Sequence, residues 1–101
     1  MRRLSVRRET WRLARPFAIA RGMKTAAEVV VAEIEEEGLL GRGECVPYAR
    51  YGETVDGVAA AIQALAGAIG AGMERQALQE ALPAGAARNA LDCALWDLRA
   101  R

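Results

Sequence analysis

The chain has 101 residues, 52% of them apolar and 27% charged, and a formal net charge of +1. That describes one domain able to bury a core, and so balanced a charge argues against nucleic acid or an anionic membrane as partner. No histidine is present, which removes the commonest general base, the usual zinc ligand and any Ser-His triad.

Residues 2–14 mix Leu4, Val6, Trp11 and Leu13 with arginines, the pattern of an edge strand with one wet face. Arg2, Arg3, Arg7, Arg8, Arg12 and Arg15 are expected to be mostly solvated. The N-terminus is basic, but no apolar run follows that could serve as a signal segment or reach the roughly 18–20 residues that span a bilayer. The expected compartment is therefore cytoplasmic. Residues 15–25, Arg-Pro-Phe-Ala-Ile-Ala-Arg-Gly-Met-Lys-Thr, read as a loop carrying large apolar groups beside fixed positive charge. Residues 27–37 follow, with Val29, Val30 and Val31 apolar on both faces, which suits a central strand. Glu35, Glu36 and Glu37 are consecutive, so they point to opposite faces and suit a solvated strand end better than a metal cage.

Glu37-Gly38 supplies turn chemistry, and residues 39–46 return as a third strand. Gly41 and Gly43 within it suggest a bulge or a close backbone approach; neither a P-loop nor GxGxxG is present. After a second loop at residues 47–53, Thr54 reads as an N-cap with Asp56 in the first turn. Val55, Val58, Ala59, Ile62, Leu65, Ala66 and Ile69 form the buried stripe of the helix it opens, and Gly70 and Gly72 end that helix. A shorter helix at residues 74–81 should bury Ala77, Leu78 and Ala81.

Pro83 and Gly85 punctuate the entry to the last helix, striped by Ala87, Ala90, Leu91, Ala94, Leu95 and Leu98. Trp96 lies off that stripe by about 100°, so part of this helix should be exposed in an isolated chain, which favours a homo-oligomer. No cap or breaker follows Leu98, and the chain reads as the front of a larger protein. Arg88 with Asp92 and Asp97 with Arg101 are spaced as helix-surface pairs. Cys45 and Cys93 form no disulfide or metal framework and are expected to behave as small buried hydrophobes. The resulting fold class is α+β, a three-stranded antiparallel sheet followed by three helices.

Three stretches carry a resemblance: residues 15–22, Arg-Pro-Phe-Ala-Ile-Ala-Arg-Gly; residues 43–54, Gly-Glu-Cys-Val-Pro-Tyr-Ala-Arg-Tyr-Gly-Glu-Thr; and residues 82–97, ending Ala-Arg-Asn-Ala-Leu-Asp-Cys-Ala-Leu-Trp-Asp. Together they resemble the N-terminal capping domain of the enolase superfamily, most closely the L-Ala-D/L-Glu dipeptide epimerases of its muconate-lactonizing branch. The resemblance implies a capping domain at residues 1–82 and a terminal helix at residues 83–101 leading into a (β/α)₈-type barrel. It implies that the barrel holds Mg²⁺ with three carboxylates and moves the α-proton of a dipeptide with two opposed lysines, none of them in this chain. An isolated chain would then bind no metal and be inactive. It further implies that the loops after the first and third strands read the substrate. Lys24 would meet a glutamyl carboxylate as a point charge, with Arg21 its neighbouring candidate; Ile19 and Tyr51 would be apolar walls and Tyr48 a hydroxyl. Without the resemblance, Lys24 and Arg21 are solvated loop cations and the other three are fasteners of their loops. Other branch chemistries (muconate cycloisomerase, o-succinylbenzoate synthase, N-acylamino acid racemase) and a stand-alone α+β interaction module are the alternatives.

Overall fold

Leu4 and Val6 alternate with Arg3, Ser5 and Arg7 along the first strand, β1 (Arg2–Ile19), and this period of two decides which side of the sheet the helices cover. A computed structural model of the protein describes residues 2–19, 22–47 and 52–101. β1 pairs antiparallel with β2 (Gly22–Glu36), which pairs antiparallel with β3 (Leu39–Cys45), in the order β1-β2-β3. Glu37 (φ 53°) and Gly38 (φ 83°) turn β2 into β3 with two successive positive φ angles, the conformation of a type I′ hairpin. The α+β architecture, with the sheet preceding the helices, is the expected one.

Residues 15–19 and 22–26 do not form the expected loop. The β1–β2 ladder continues through them, pairing Phe17 with Lys24, Ala18 with Met23 and Ile19 with Gly22. Its register shifts between Arg12 and Phe17, leaving residues 13–16 set against Thr25 alone. Pro16, which has no N–H to give a ladder, falls inside that irregularity.

Helices α1 (Val55–Gln63), α2 (Ala66–Gly70), α3 (Arg75–Ala81) and α4 (Ala86–Ala100) follow. Thr54 Oγ1 accepts the Gly57 N–H at 2.9 Å, the expected N-cap. The single long helix expected from Val55 to Ile69 is instead divided, because the Leu65 N–H reaches back three residues to Ile62 O and tightens the turn. α2 ends in a Schellman motif: Gly72 has φ 108°, its N–H donates to Ile69 O, and the Met73 N–H donates to Ala68 O. In α3 only Leu78 is buried; Ala77 and Ala81 are exposed, contrary to expectation, so this helix of about two turns offers a single residue to the core.

The core lies between the sheet and these helices, where Val30, Ala32 and Ile34 meet Ile62, Ile69, Leu78, Leu91 and Leu95. Each valine, leucine and isoleucine among them contributes about 1.5–3 kcal/mol by leaving water. Val29 and Val31 point the other way and are also buried, as expected of a central strand. Register sets them opposite Glu9, Arg7 and Glu44, so the stems of a charged lattice cover them.

The first four arginines divide between the two faces, and the side chains of Arg12 and Arg15 lie outside the described ones. Arg3 and Arg7 join the outer lattice, pairing with Glu35 and Glu33, while Arg8 reaches Asp56 on α1. Arg2 is not solvated: its side chain is 8% exposed and clamps the start of β1 to Glu36, Met73 O and Glu74.

α4 lies close along β3 because Gly41 and Gly43 have no side chains. A Cβ on Gly41 would stand 2.6 Å from Leu98 N, and one on Gly43 2.7 Å from Ala94 N. This is the close backbone approach expected of the two glycines.

Candidate functional site

Of the two chain segments expected to read a substrate, one falls at the far end of the β1–β2 ladder and the other follows β3. At the first, Ile19 pairs with Gly22 and Lys24 with Phe17. Arg21, Tyr48 and Tyr51 lie outside the described residues.

At the second, Glu53 Oε2 accepts the Ala86 N–H at 2.8 Å, although α4 carries no side-chain cap of its own at Gly85. The carboxylate is well placed there, against the positive end of the helix dipole. An open groove of about 560 Å³ lies beside it, lined by Trp11, Val29, Glu44, Cys45, Val46, Glu53, Gly85, Ala86 and Asn89. Neither Glu53 nor Trp11 was among the expected site residues. Glu53 meets its partner across 33 residues of sequence, so no local pattern announces it.

The groove's wall continues into the outer lattice. Trp11 Nε1 donates to Glu9 Oε1 at 2.7 Å, and Arg7 Nε donates to Glu9 Oε2 at 2.6 Å. These hydrogen bonds, the one from Trp11 foremost, hold the Glu9 carboxyl below its ordinary range, while Glu33 and Glu9 hold the Arg7 guanidinium charged. At the edge of β3, Asp97 Oδ2 accepts the Arg42 backbone N–H at 2.9 Å and pairs with Arg101 at 3.1 Å, and both contacts lower its pKa. The expected Asp97–Arg101 pair therefore forms. The expected Arg88–Asp92 pair does not: Arg75 of α3 takes Asp92 at 2.6 and 3.3 Å, and Arg88 turns to Leu82 O.

Arg75 also lies 4.3 Å from the centre of the Trp96 ring, a cation–π contact that joins α3 to α4. Leu91, Leu95 and Leu98 are buried and Trp96 is 53% exposed, the division expected from its place off the stripe. Cys93 is exposed rather than buried, since position 93 falls on the outer side of α4.

Cys45 is buried as expected, and its thiol is pushed up to about 11, first by desolvation and then by the Glu53 and Cys93 charges. These shifts set a pH profile. A depressed carboxylate stabilises the fold above its unfolded pKa and loses that contribution as pH falls through its folded value. A raised thiol disfavours the fold as pH climbs from its ordinary 9.0 toward about 11. The urea midpoint should therefore hold level in between, falling below about pH 4 and again above about pH 9. At about pH 8 iodoacetamide should label Cys93 well before Cys45; equal rates would show that Cys45 is not sheltered.

Among the described residues, no three His, Cys, Asp or Glu side chains are grouped to hold a metal ion, and no helix is long and apolar enough to cross a membrane.

Residues 1–101 match the family described as the mandelate racemase / muconate lactonizing enzyme N-terminal domain. The chain belongs to that family. It is 56% identical to the L-Ala-D/L-Glu epimerase of Escherichia coli K12 over 101 residues, all of this chain and 32% of that protein. It superposes with TM-score 0.94 on an enolase family member from Agrobacterium tumefaciens with homology to dipeptide epimerases, solved with sodium and L-Ala-L-Glu. The two are 50% identical, over 99% of this chain and 31% of that one. A dipeptide epimerase from Methylococcus capsulatus, solved with Mg and L-Arg-D-Lys, superposes with TM-score 0.72 at 34% identity, over 96% of this chain and 30% of that one. The chain thus spans about a third of the length of these relatives.

Proposed function

We propose that this domain is the substrate-specificity cap of a dipeptide epimerase acting on L-Ala-D/L-Glu-type substrates, in which the proton on the α-carbon of the second residue is removed and returned on the opposite face. The observation that carries this reading is the likeness, along the whole chain, to epimerases of that class. In this reading residues 1–82 are the cap, and residues 83–101 lead into a barrel that supplies the acid/base groups and the magnesium ligands. The described residues offer no donor set for the metal, and we assign this chain no step of metal chemistry. Its own part is to close over the substrate, exclude water and recognise the second side chain.

Lys24, opposite Phe17 near the end of the β1–β2 ladder, supplies the positive charge for the glutamyl carboxylate, with Arg21, three residues earlier in sequence, as the neighbouring candidate. Ile19, Tyr48 and Tyr51 supply the apolar walls and a hydroxyl. The test uses the full-length protein with magnesium in deuterated buffer. The wild type should exchange the α-proton of the glutamyl residue of L-Ala-L-Glu. Lys24→Ala should raise KM for L-Ala-L-Glu more than for a dipeptide with an uncharged second side chain, by roughly 1.5–3 kcal/mol. Equal losses on both substrates would remove Lys24 from carboxylate recognition, and no exchange by the wild type on any dipeptide would remove the epimerase reading.

A further inference from the structure

We propose that Glu53 is a positioning residue for substrate recognition, fixing the chain just before α1 against the N-terminus of α4. The proposal rests on the epimerase-cap reading above, although the geometry behind it is independent of that reading. Glu53 and Thr54 are consecutive, and each satisfies the start of a different helix: Glu53 through Ala86 N on α4, and Thr54 through Gly57 N on α1. Two unmet helix donors are thereby answered from one dipeptide. Both helices belong to the core, through Val58 and Ile62 on α1 and through Leu91 and Leu95 on α4.

The end of β3 joins the same place. The Glu53 charge is felt at the Cys45 thiol, and both residues line one groove. Gly85 completes the fit, since a Cβ there would stand 3.0 Å from Glu53 Oε2. The carboxylate thus ties the chain entering α1 to the start of α4, beside the end of β3. The helix cap alone would require only stability from Glu53; a fixed chain entry into α1 adds an effect on substrate affinity.

The experiment compares Glu53→Ala, Glu53→Gln and Gly85→Ala in the full-length enzyme, reading kcat, KM and Tm. Glu53→Ala should raise KM for L-Ala-L-Glu about ten-fold, the effect of losing one hydrogen bond to a charged group, with kcat within about three-fold. Glu53→Gln keeps an acceptor for Ala86 N and should restore KM to within about three-fold of wild type. Gly85→Ala, which pushes on the carboxylate, should move KM in the same direction as Glu53→Ala. A fall in Tm with KM unchanged makes Glu53 a helix cap only and overturns the proposal, as does a glutamine variant no better than alanine. If the wild type turns over no dipeptide, the epimerase reading has failed, and hydrogen exchange then decides for Glu53. Faster exchange of peptides spanning residues 46–54 and 84–90 in Glu53→Ala but not in Glu53→Gln supports the positioning role; no difference overturns it.

Discussion

Gly43→Ala should lower the stability of the domain by about 3 kcal/mol, at the upper end of what overpacking costs. The added methyl would stand 2.7 Å from Ala94 N and 2.9 Å from Ala90 C, and closer still to Ala90 O. All three are backbone atoms of α4, so no rotamer change relieves the clash. The helix must lift from β3, opening contacts around Ala90, Leu91 and Ala94, all fully buried. Gly67 provides the control. It lies on an exposed turn of α2, where an added methyl would meet nothing within 4 Å, and Gly67→Ala should gain about 0.5–1 kcal/mol from helix propensity. Urea midpoints of the two variants should therefore move in opposite directions. Equal midpoints would mean that α4 does not lie against β3 as described.

Arg2→Ala should cost about 2 kcal/mol, more than a surface ion pair and less than a fully buried one. The guanidinium is buried to 8% exposure, donates to Met73 O at 2.8 Å and to Glu74 at 2.8 Å, and lies 3.3 Å from Glu36 at Nε. That last contact is an ion pair without hydrogen-bond geometry, since Nε has no hydrogen-bond partner. Glu36 and Glu74 are themselves open to water, at 41% and 63% exposure, so removing Arg2 strands no buried charge. The loss comes mainly from the Met73 carbonyl and the packed stem. Arg2→Lys keeps the charge but reaches fewer acceptors at once, so its urea midpoint should fall between wild type and Arg2→Ala. An alanine variant as stable as wild type would show that the clamp contributes nothing.

The parts of the fold legible in the sequence were those governed by short-range rules. Thr54 announced its helix, Glu37-Gly38 its turn, and the stripe through Leu91, Leu95 and Leu98 its buried side. Gly41 and Gly43 announced the close approach, although not that α4 would be the neighbour. The long ladder was hidden because Arg15-Pro16 and Gly22 punctuate residues 15–25 like a loop, and only cross-strand pairing, which no local pattern encodes, carries the chain through them. The same limit applies to charges. Asp92 has a local candidate in Arg88, but Arg75, seventeen residues earlier, takes it. Arg2 looks like its neighbours Arg3, Arg7 and Arg8 until α3 and the turn before it close over it. In the candidate site, residues 15–25 and 47–53 were singled out by the resemblance alone, whereas Glu53 became visible as the partner of α4 only when Ala86 was brought to it across the fold.

β3 pairs with β2 only from Val30 to Glu36, so between Gly22 and Val29 the described ladder joins β2 to β1 alone. A two-stranded ribbon of that kind adds little stability of its own, and the fold depends instead on the three-stranded region and the helices packed on it. Substitutions around Lys24 therefore fall where the folding equilibrium is least sensitive to them. The outer end of this ribbon is therefore the part of the domain where residues can be exchanged one at a time at the smallest cost to folding.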